Sequence, residues 1–249
     1  MHNLEPDRTE APAGSLEVYL LGLLDFDAAL FLQERLMMDV ARRNDGQGAL
    51  LVCEHPPLVT IGREGSRADI GCSHEELAAR EIKVRWLNRG GGSLMHLPGQ
   101  LALYLILPLA RRGWGMAAYR ERLEEALLDL CRELRIRAWR RSPGTGIFCR
   151  GGKVADVGVA VRQGVTSHGV YVNVNPRMDV VSLVCARDDG RPIAPRASSL
   201  AAERGIPVAM AAVRESLVRR LAARLDYDRY HLYTGHPLLR RKRQVVAYA

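Results

Sequence analysis

Three segments of this chain carry residues suited to acyl chemistry. Arg89 to Gln100 reads RGGGSLMHLPGQ, Lys153 stands in GGKVADVGVAV, and Cys185 stands in SLVCAR. A lysine held near a cysteine favours the thiolate at neutral pH, and a thiolate attacks acyl carbonyls. Gly90, Gly91 and Gly92 can adopt positive φ and leave backbone N–H groups open to a ligand oxygen. The triplet lacks the Gly-Lys-Ser/Thr of a P-loop. His96 can orient a substrate or move protons. His168, in Thr-Ser-His-Gly, is balanced between a site role and a structural one. His55, before Pro56-Pro57, reads as a turn residue.

Lys83, Lys153 and Lys242 are the only lysines in an arginine-rich chain. Lys153 enters an apolar run, where an unpaired charge is costly, so its amine must reach solvent or a partner. Lysine can release its proton and arginine cannot. Among the five cysteines, Cys185 borders the charged stretch 187–191 and is the leading nucleophile candidate. Cys131 falls on a helical stripe and Cys53 in an apolar strand, as small core residues do. Cys72 and Cys149 read as loop or turn cysteines.

Several elements must position these groups. Leu16 to Leu24 reads as a first strand, with Asp25 or Asp27 capping the helix that follows. Ala49 to Cys53 and Leu58 to Ile61 are short strands separated by Glu54-His55-Pro56-Pro57. Ser73 caps a short helix, and Lys83 to Leu87 is a strand entering the glycine loop. Leu101 to Leu107, almost wholly apolar, is a strand buried on both faces. Tyr119, Leu123, Ala126, Leu127, Leu130 and Leu134 form a helical stripe. Val154 to Val161 and Val165 to Val174 are strands joined by the turn Arg162-Gln163-Gly164. Pro207 opens a last helix carrying Val213, Leu217, Leu221 and Leu225. Strands and helices mix without regular alternation, which predicts an α+β (mixed α/β) fold.

The 249 residues, 47% of them hydrophobic, suffice for one sizeable core. No apolar run reaches the roughly 20 residues of a membrane span. Residues 1–14 read as a disordered polar lead-in without a signal peptide. An odd cysteine count without Cys-x-x-Cys disfavours a disulfide framework and a structural zinc site, and points to a reducing cytoplasm. A net charge of +8 suggests acidic partners. Aromatic RNA-reading repeats and zinc fingers are absent, so nucleic acid is not the expected one.

In this order, the residues resemble the lipoyl(octanoyl) transferase family of the biotin/lipoate protein ligase-like superfamily. Members of that family carry R-G-G-x-x-T-Y-H-G-P-G-Q, then K-[IV]-A-x-[IL]-G-V, then S-H-G with N-V-N, then P-C-G. The matching positions are Arg89-Gly90-Gly91, His96, Pro98-Gly99-Gln100, Lys153-Val154-Ala155, Val157-Gly158-Val159, Ser167-His168-Gly169, Asn173-Val174-Asn175 and Cys185. Leu21-Gly22, Leu32-Gln33-Glu34, and Glu54 through Arg63 are similar too, and the resemblance spans residues 16 to 226. It departs at Met95 and Leu97, at Tyr171, and at Val184-Cys185-Ala186.

The resemblance implies the biotin/lipoate protein ligase fold, with a catalytic domain over 15–228 and a basic tail over 229–249. It implies that Cys185 takes an octanoyl group from acidic octanoyl-acyl carrier protein as a thioester and passes it to a lysine of a lipoyl domain. Acceptors of this kind belong to 2-oxo-acid dehydrogenase complexes and the glycine cleavage carrier protein. Lys153 would lower the thiol pKa, and no cofactor or metal is needed. Arg89, Gly90, Gly91, Gly92, Ser93, Leu94, Met95 and His96 would line the substrate site, with Asp156, Val157 and Gly158 and with Gly169, Val170 and Tyr171. A cytoplasmic monomer is expected. The competing readings are an ATP-dependent lipoate or biotin-type ligase and a non-catalytic relative that binds acyl chains or lipoyl domains.

Overall fold

Apolar sequence becomes strand in this chain wherever other elements cover both backbone faces. The structure, a computed structural model, describes residues 14–43, 45–141, 144–184, 187–188, 191–192 and 196–240. It opens with β1 (Leu16–Leu23), α1 (Phe26–Arg42), β2 (Gly48–Glu54), β3 (Leu58–Ile61), α2 (His74–Ala79), β4 (Lys83–Trp86), β5 (Ser93–His96) and β6 (Gln100–Ile106). Next come α3 (Met116–Glu133), β7 (Ala138–Trp139), β8 (Ile147–Cys149), β9 (Gly152–Arg162), β10 (Val165–Asn173) and α4 (Met178–Val181). The remaining elements are β11 (Arg187–Asp188), β12 (Arg191–Pro192), α5 (Leu200–Arg204), α6 (Met210–Arg224), β13 (Tyr230–Thr234) and α7 (Pro237–Arg240).

Eight strands form one mixed sheet in the order β13-β1-β2-β6-β10-β9-β8-β7. β1 runs parallel to β13 and β2, and the other neighbours are antiparallel. Side chains alternate between faces, as strand geometry requires. Val18, Leu50, Leu103, Val157 and Val170 join the core beneath α3 and α6. Tyr19, Leu51, Tyr104 and Tyr171 join the core beneath α1. β6 is buried at every position, as its apolar sequence demands. A second sheet, β4-β3-β5, packs Val59, Ile61 and Met95 against Leu77 of α2. The expected mixed α/β architecture, a mixed sheet packed with helices, is the one found.

Local signals hold where a backbone group needs a specific partner. The Asp25 carboxylate accepts the Ala28 N–H and caps α1, a bond that contributes about 1 kcal/mol. Ser73 and Glu76 form the reciprocal capping box of α2. The β9–β10 turn puts Gln163 and Gly164 at φ 51° and 75°, the two-residue hairpin form that matches strand twist.

Four readings change. Residues 230–234 are not tail: β13 pairs in register with β1, and Tyr233 stacks on Tyr19 at 5.3 Å. The last long helix starts at Met210, three residues after Pro207. Cys149 lies buried in β8, not in a loop. His55 is buried rather than a turn residue: its Nδ1 donates to the Leu24 carbonyl at 2.7 Å, and Tyr104 Oη donates to its Nε2 at 2.6 Å. The polar lead-in and Cys185 lie outside the described residues. No helix among the described residues is long and apolar enough to cross a membrane.

Candidate active site

A bare position on β9 lets the glycine loop lie against the sheet. A Cβ at Gly158 would stand 2.8 Å from the Gly90 carbonyl and 3.3 Å from the Arg89 Cδ. With no side chain there, Gly90 N–H reaches the Val159 carbonyl at 3.0 Å. Gly91 turns away at φ +80°, in the region that favours glycine, and its N–H donates to the Glu64 carboxylate at 3.1 Å. The loop and β9 enclose a cavity of about 160 Å³. Gly91, Gly92 and Leu94 form one wall, with Glu64 and Arg89, while Lys153, Asp156, Val157 and Gly158 form another, closed by Gly144 and Thr145.

Arg89 is wholly buried and no carboxylate pairs with it among the described residues. Its guanidinium donates to the Gly90 carbonyl at 3.0 Å, to the Thr60 carbonyl at 3.2 Å and to Thr60 Oγ1 at 2.8 Å. A continuous chain of hydrogen bonds starts there. Gln100 Nε2 donates to the Met95 carbonyl and Asn173 Oδ1, so Gln100 Oε1 is left to accept from His96 Nδ1 at 2.8 Å. His96 Nε2 then accepts from the Thr60 hydroxyl at 2.9 Å. This network assigns His96 as the neutral Nδ1–H tautomer. Asn173 Nδ2 donates to the Ser198 carbonyl at 3.0 Å, and Ser198 N–H donates to the Lys153 carbonyl at 2.8 Å. The loop and the lysine thus hang on one buried polar scaffold.

Burial, reinforced by neighbouring His55 and the Arg89 cation, holds the His96 pKa well below its ordinary value. Burial also lowers His55 and His168 to about 4, Arg89 and Arg63 adding to the effect at His168. These rings are neutral at pH 7 and serve as fixed hydrogen-bonding groups, not as proton shuttles. Burial pushes the Tyr171 hydroxyl up to about 12, and the Arg89 guanidinium stands 5.8 Å from that ring's centre. Lys153 Nζ forms an ion pair with Asp156 and lies 5.5 Å from the Phe148 ring centre. Both side chains remain part-exposed, at 25% and 19%.

The family model described as the lipoyl protein ligase A/B catalytic domain matches residues 25–222. An octanoyltransferase of Geobacter metallireducens is 39% identical over 220 residues, covering 87% of this chain and 97% of that protein. The chain belongs to the octanoyltransferase family. A second relative, the octanoyltransferase of Chloroflexus aggregans, is 36% identical over 85% of this chain and 96% of its own length. Among solved structures, a lipoate-protein ligase A bound with ATP superposes with a TM-score of 0.69 at 18% identity, covering 92% of this chain and 93% of that one. A bipartite lipoate protein ligase from Thermoplasma acidophilum gives 0.66 at 18% identity, covering 90% and 88%. These two likenesses bear on the fold alone.

Within this octanoyltransferase-family chain, the residues expected at the site divide. Arg89, Gly91, Gly92, Leu94, Lys153, Asp156, Val157 and Gly158 line the cavity. Cys185 lies outside the described residues, and the remaining ones do not line the cavity. Two of the glycine N–H groups expected to be open are already engaged, Gly90 by Val159 and Gly91 by Glu64. Ser93 Oγ donates to Asp69 at 2.7 Å, and Met95 points into the core of the small sheet. His96 and Tyr171 form the buried floor, their ring centres 4.9 Å apart. Val170 points to the opposite face, under α3 and α6, and Gly169 is pressed against Leu103 of β6. Cys53 and Cys149 are buried free thiols with raised pKa values, from burial at Cys53 and from a hydrogen bond with the Cys131 thiol plus burial at Cys149.

Two participants escape a reading of the sequence. Glu64 closes the Gly-Arg-Glu-Gly turn after β3, and nothing in that tetrapeptide says its carboxylate will cap the glycine loop. Thr60 was more legible, because a hydroxyl in an apolar strand must find a partner.

Proposed function

We propose that this chain moves an octanoyl group from octanoyl-acyl carrier protein to a lysine of a lipoyl domain, through a thioester on Cys185 and without ATP. The observation that carries the reading is the meeting of Lys153 with the Gly91–Gly92 loop in one cavity. The octanoyl group is taken from the relatives named octanoyltransferases. The family-wide fold and its name make a lipoyl domain the natural acceptor. The cytoplasm, where carrier and reduced thiols coexist, is the compartment this reading requires.

In the first half-reaction the Cys185 thiolate attacks the thioester carbonyl, the bond to the carrier sulfur breaks, and the Lys153 ammonium protonates the departing thiolate. In the second, the acceptor amine attacks the Cys185 thioester and forms the amide. Its proton passes to neutral Lys153, which restores the ammonium and the thiolate. Asp156 holds the Lys153 amine at the cavity wall between these steps. At about 160 Å³ the cavity falls below the roughly 300–1,000 Å³ of whole-ligand pockets, so it seats the reacting carbonyl and the carbons beside it.

Lys153→Ala should lower transfer from octanoyl-carrier to a lipoyl domain by at least about 100-fold, the ordinary scale of a lost acid–base group. A gel-shift or mass assay of the lipoyl domain reads this. Transfer that persists in Lys153→Ala, or that needs ATP and free octanoate, would contradict the mechanism.

A further inference from the structure

A groove of about 940 Å³ adjoins the segment that carries Lys153. Gly151 lines the groove, whereas Lys153, two residues on, lines the catalytic cavity. The two spaces differ in charge. In the cavity the carboxylates of Glu64 and Asp156 are balanced by the cations of Arg89 and Lys153. Arg135, Arg137 and Arg150 line the groove, with Trp139 43% exposed among them. Its single acid, Glu203, is turned inward, where its carboxylate accepts the Gly151 N–H at 3.0 Å and the Ser198 hydroxyl at 2.5 Å.

The three groove arginines have exposed side chains and no carboxylate partner among the described residues. The adjoining α3–α6 surface contrasts with them: Arg132, Arg220 and Arg224 each meet Asp129 or Glu133 there. Three unpaired guanidinium groups around a concave surface with an exposed indole match a ligand that offers phosphate or carboxylate oxygens and an apolar arm.

We propose that this groove docks the acyl donor, an acidic carrier protein whose acyl chain hangs from a phosphodiester-linked arm. The proposal rests on the acyl-transfer reading above. The phosphodiester is what selects the donor over the lipoyl domain, whose acceptor lysine side chain carries no phosphate. The groove and the cavity meet at the Gly151–Lys153 segment, so a carrier seated in the groove lies beside the cavity that takes its acyl group. Charge complementarity of this kind raises encounter rate and fixes the partner's register.

The test compares wild type with the triple variant Arg135→Glu, Arg137→Glu, Arg150→Glu, whose exposed positions leave the core untouched. With octanoyl-carrier protein, kcat/KM should fall by about tenfold or more at low salt, with the loss narrowing as salt rises. With octanoyl-pantetheine, which has neither protein nor phosphate, it should stay within about twofold. Equal loss on both donors, no loss on the carrier, or a rise confined to the KM for the lipoyl domain would overturn the proposal. Calorimetry with unacylated holo-carrier separates it from the transfer reading. Equal binding to wild type and variant overturns the groove assignment even with turnover intact. Binding that depends on the arginines, without any transfer, supports the groove and overturns the transfer reading instead.

Discussion

At the scale of single residues, the site depends on buried polar groups linked by hydrogen bonds. Arg89 is the costliest of them, a cation sealed from water and held by neutral oxygens of Thr60 and Gly90. Thr60→Val leaves the guanidinium one acceptor short and takes from His96 the donor to its Nε2. The expected loss is about 1–3 kcal/mol of stability, read by urea denaturation, and an unchanged midpoint would contradict the network. The histidines add a pH dependence. His55 and His168 sit at about 4 in the folded chain against an ordinary 6.5. Between those values the unfolded chain binds more protons, so stability is full above pH 6.5 and lost as pH falls toward 4. Each site accounts for up to about 3 kcal/mol over that window. Thermal melts should drop steeply below pH 6, and a flat melting temperature from pH 7 to 4.5 would contradict this assignment.

At the scale of elements, β9 and the glycine loop form one unit because Gly158 leaves room for the Arg89–Gly90 backbone. Gly158→Ala should displace that loop, costing about 1–3 kcal/mol by overpacking and more than about tenfold in transfer rate. Comparing its circular-dichroism melt and its activity with wild type checks both, and an active, equally stable variant would contradict the contact. Much of this unit was readable beforehand. The apolar run of β6, the hairpin turn at Gln163-Gly164 and the cap at Asp25 each answer a local demand of the backbone. The Arg-Gly-Gly loop and Lys153 announced themselves by composition, and they do meet. What was not readable depends on distant contacts. Val170 and Tyr171 are neighbours in sequence, yet strand alternation sends one to each core. His55 stands before two prolines and still becomes a buried hub, because Leu24 and Tyr104 converge on it from two other segments.

At the scale of the whole molecule, helices cover both faces of the eight-stranded sheet, and its edge is completed by the last described strand. β13 shields β1, whose Leu16 and Val18 are fully buried. Ending the chain after Asp228 would expose the β1 edge and remove the Tyr233–Tyr19 stack. Such a truncation should melt at lower temperature and aggregate on heating, as light scattering would show, and a truncation as stable and as soluble as the full chain would place β13 outside the fold. The basic groove and the cavity meet at the Gly151–Lys153 segment, which would bring a docked donor beside Lys153. Covalent octanoyl transfer through Cys185 is tested most directly by intact-protein mass spectrometry after mixing with octanoyl-carrier protein in the absence of ATP. One octanoyl adduct is expected on wild type and none on Cys185→Ala, and adding a lipoyl domain should discharge the adduct. No adduct on wild type, or an adduct that survives in Cys185→Ala, would contradict transfer through Cys185.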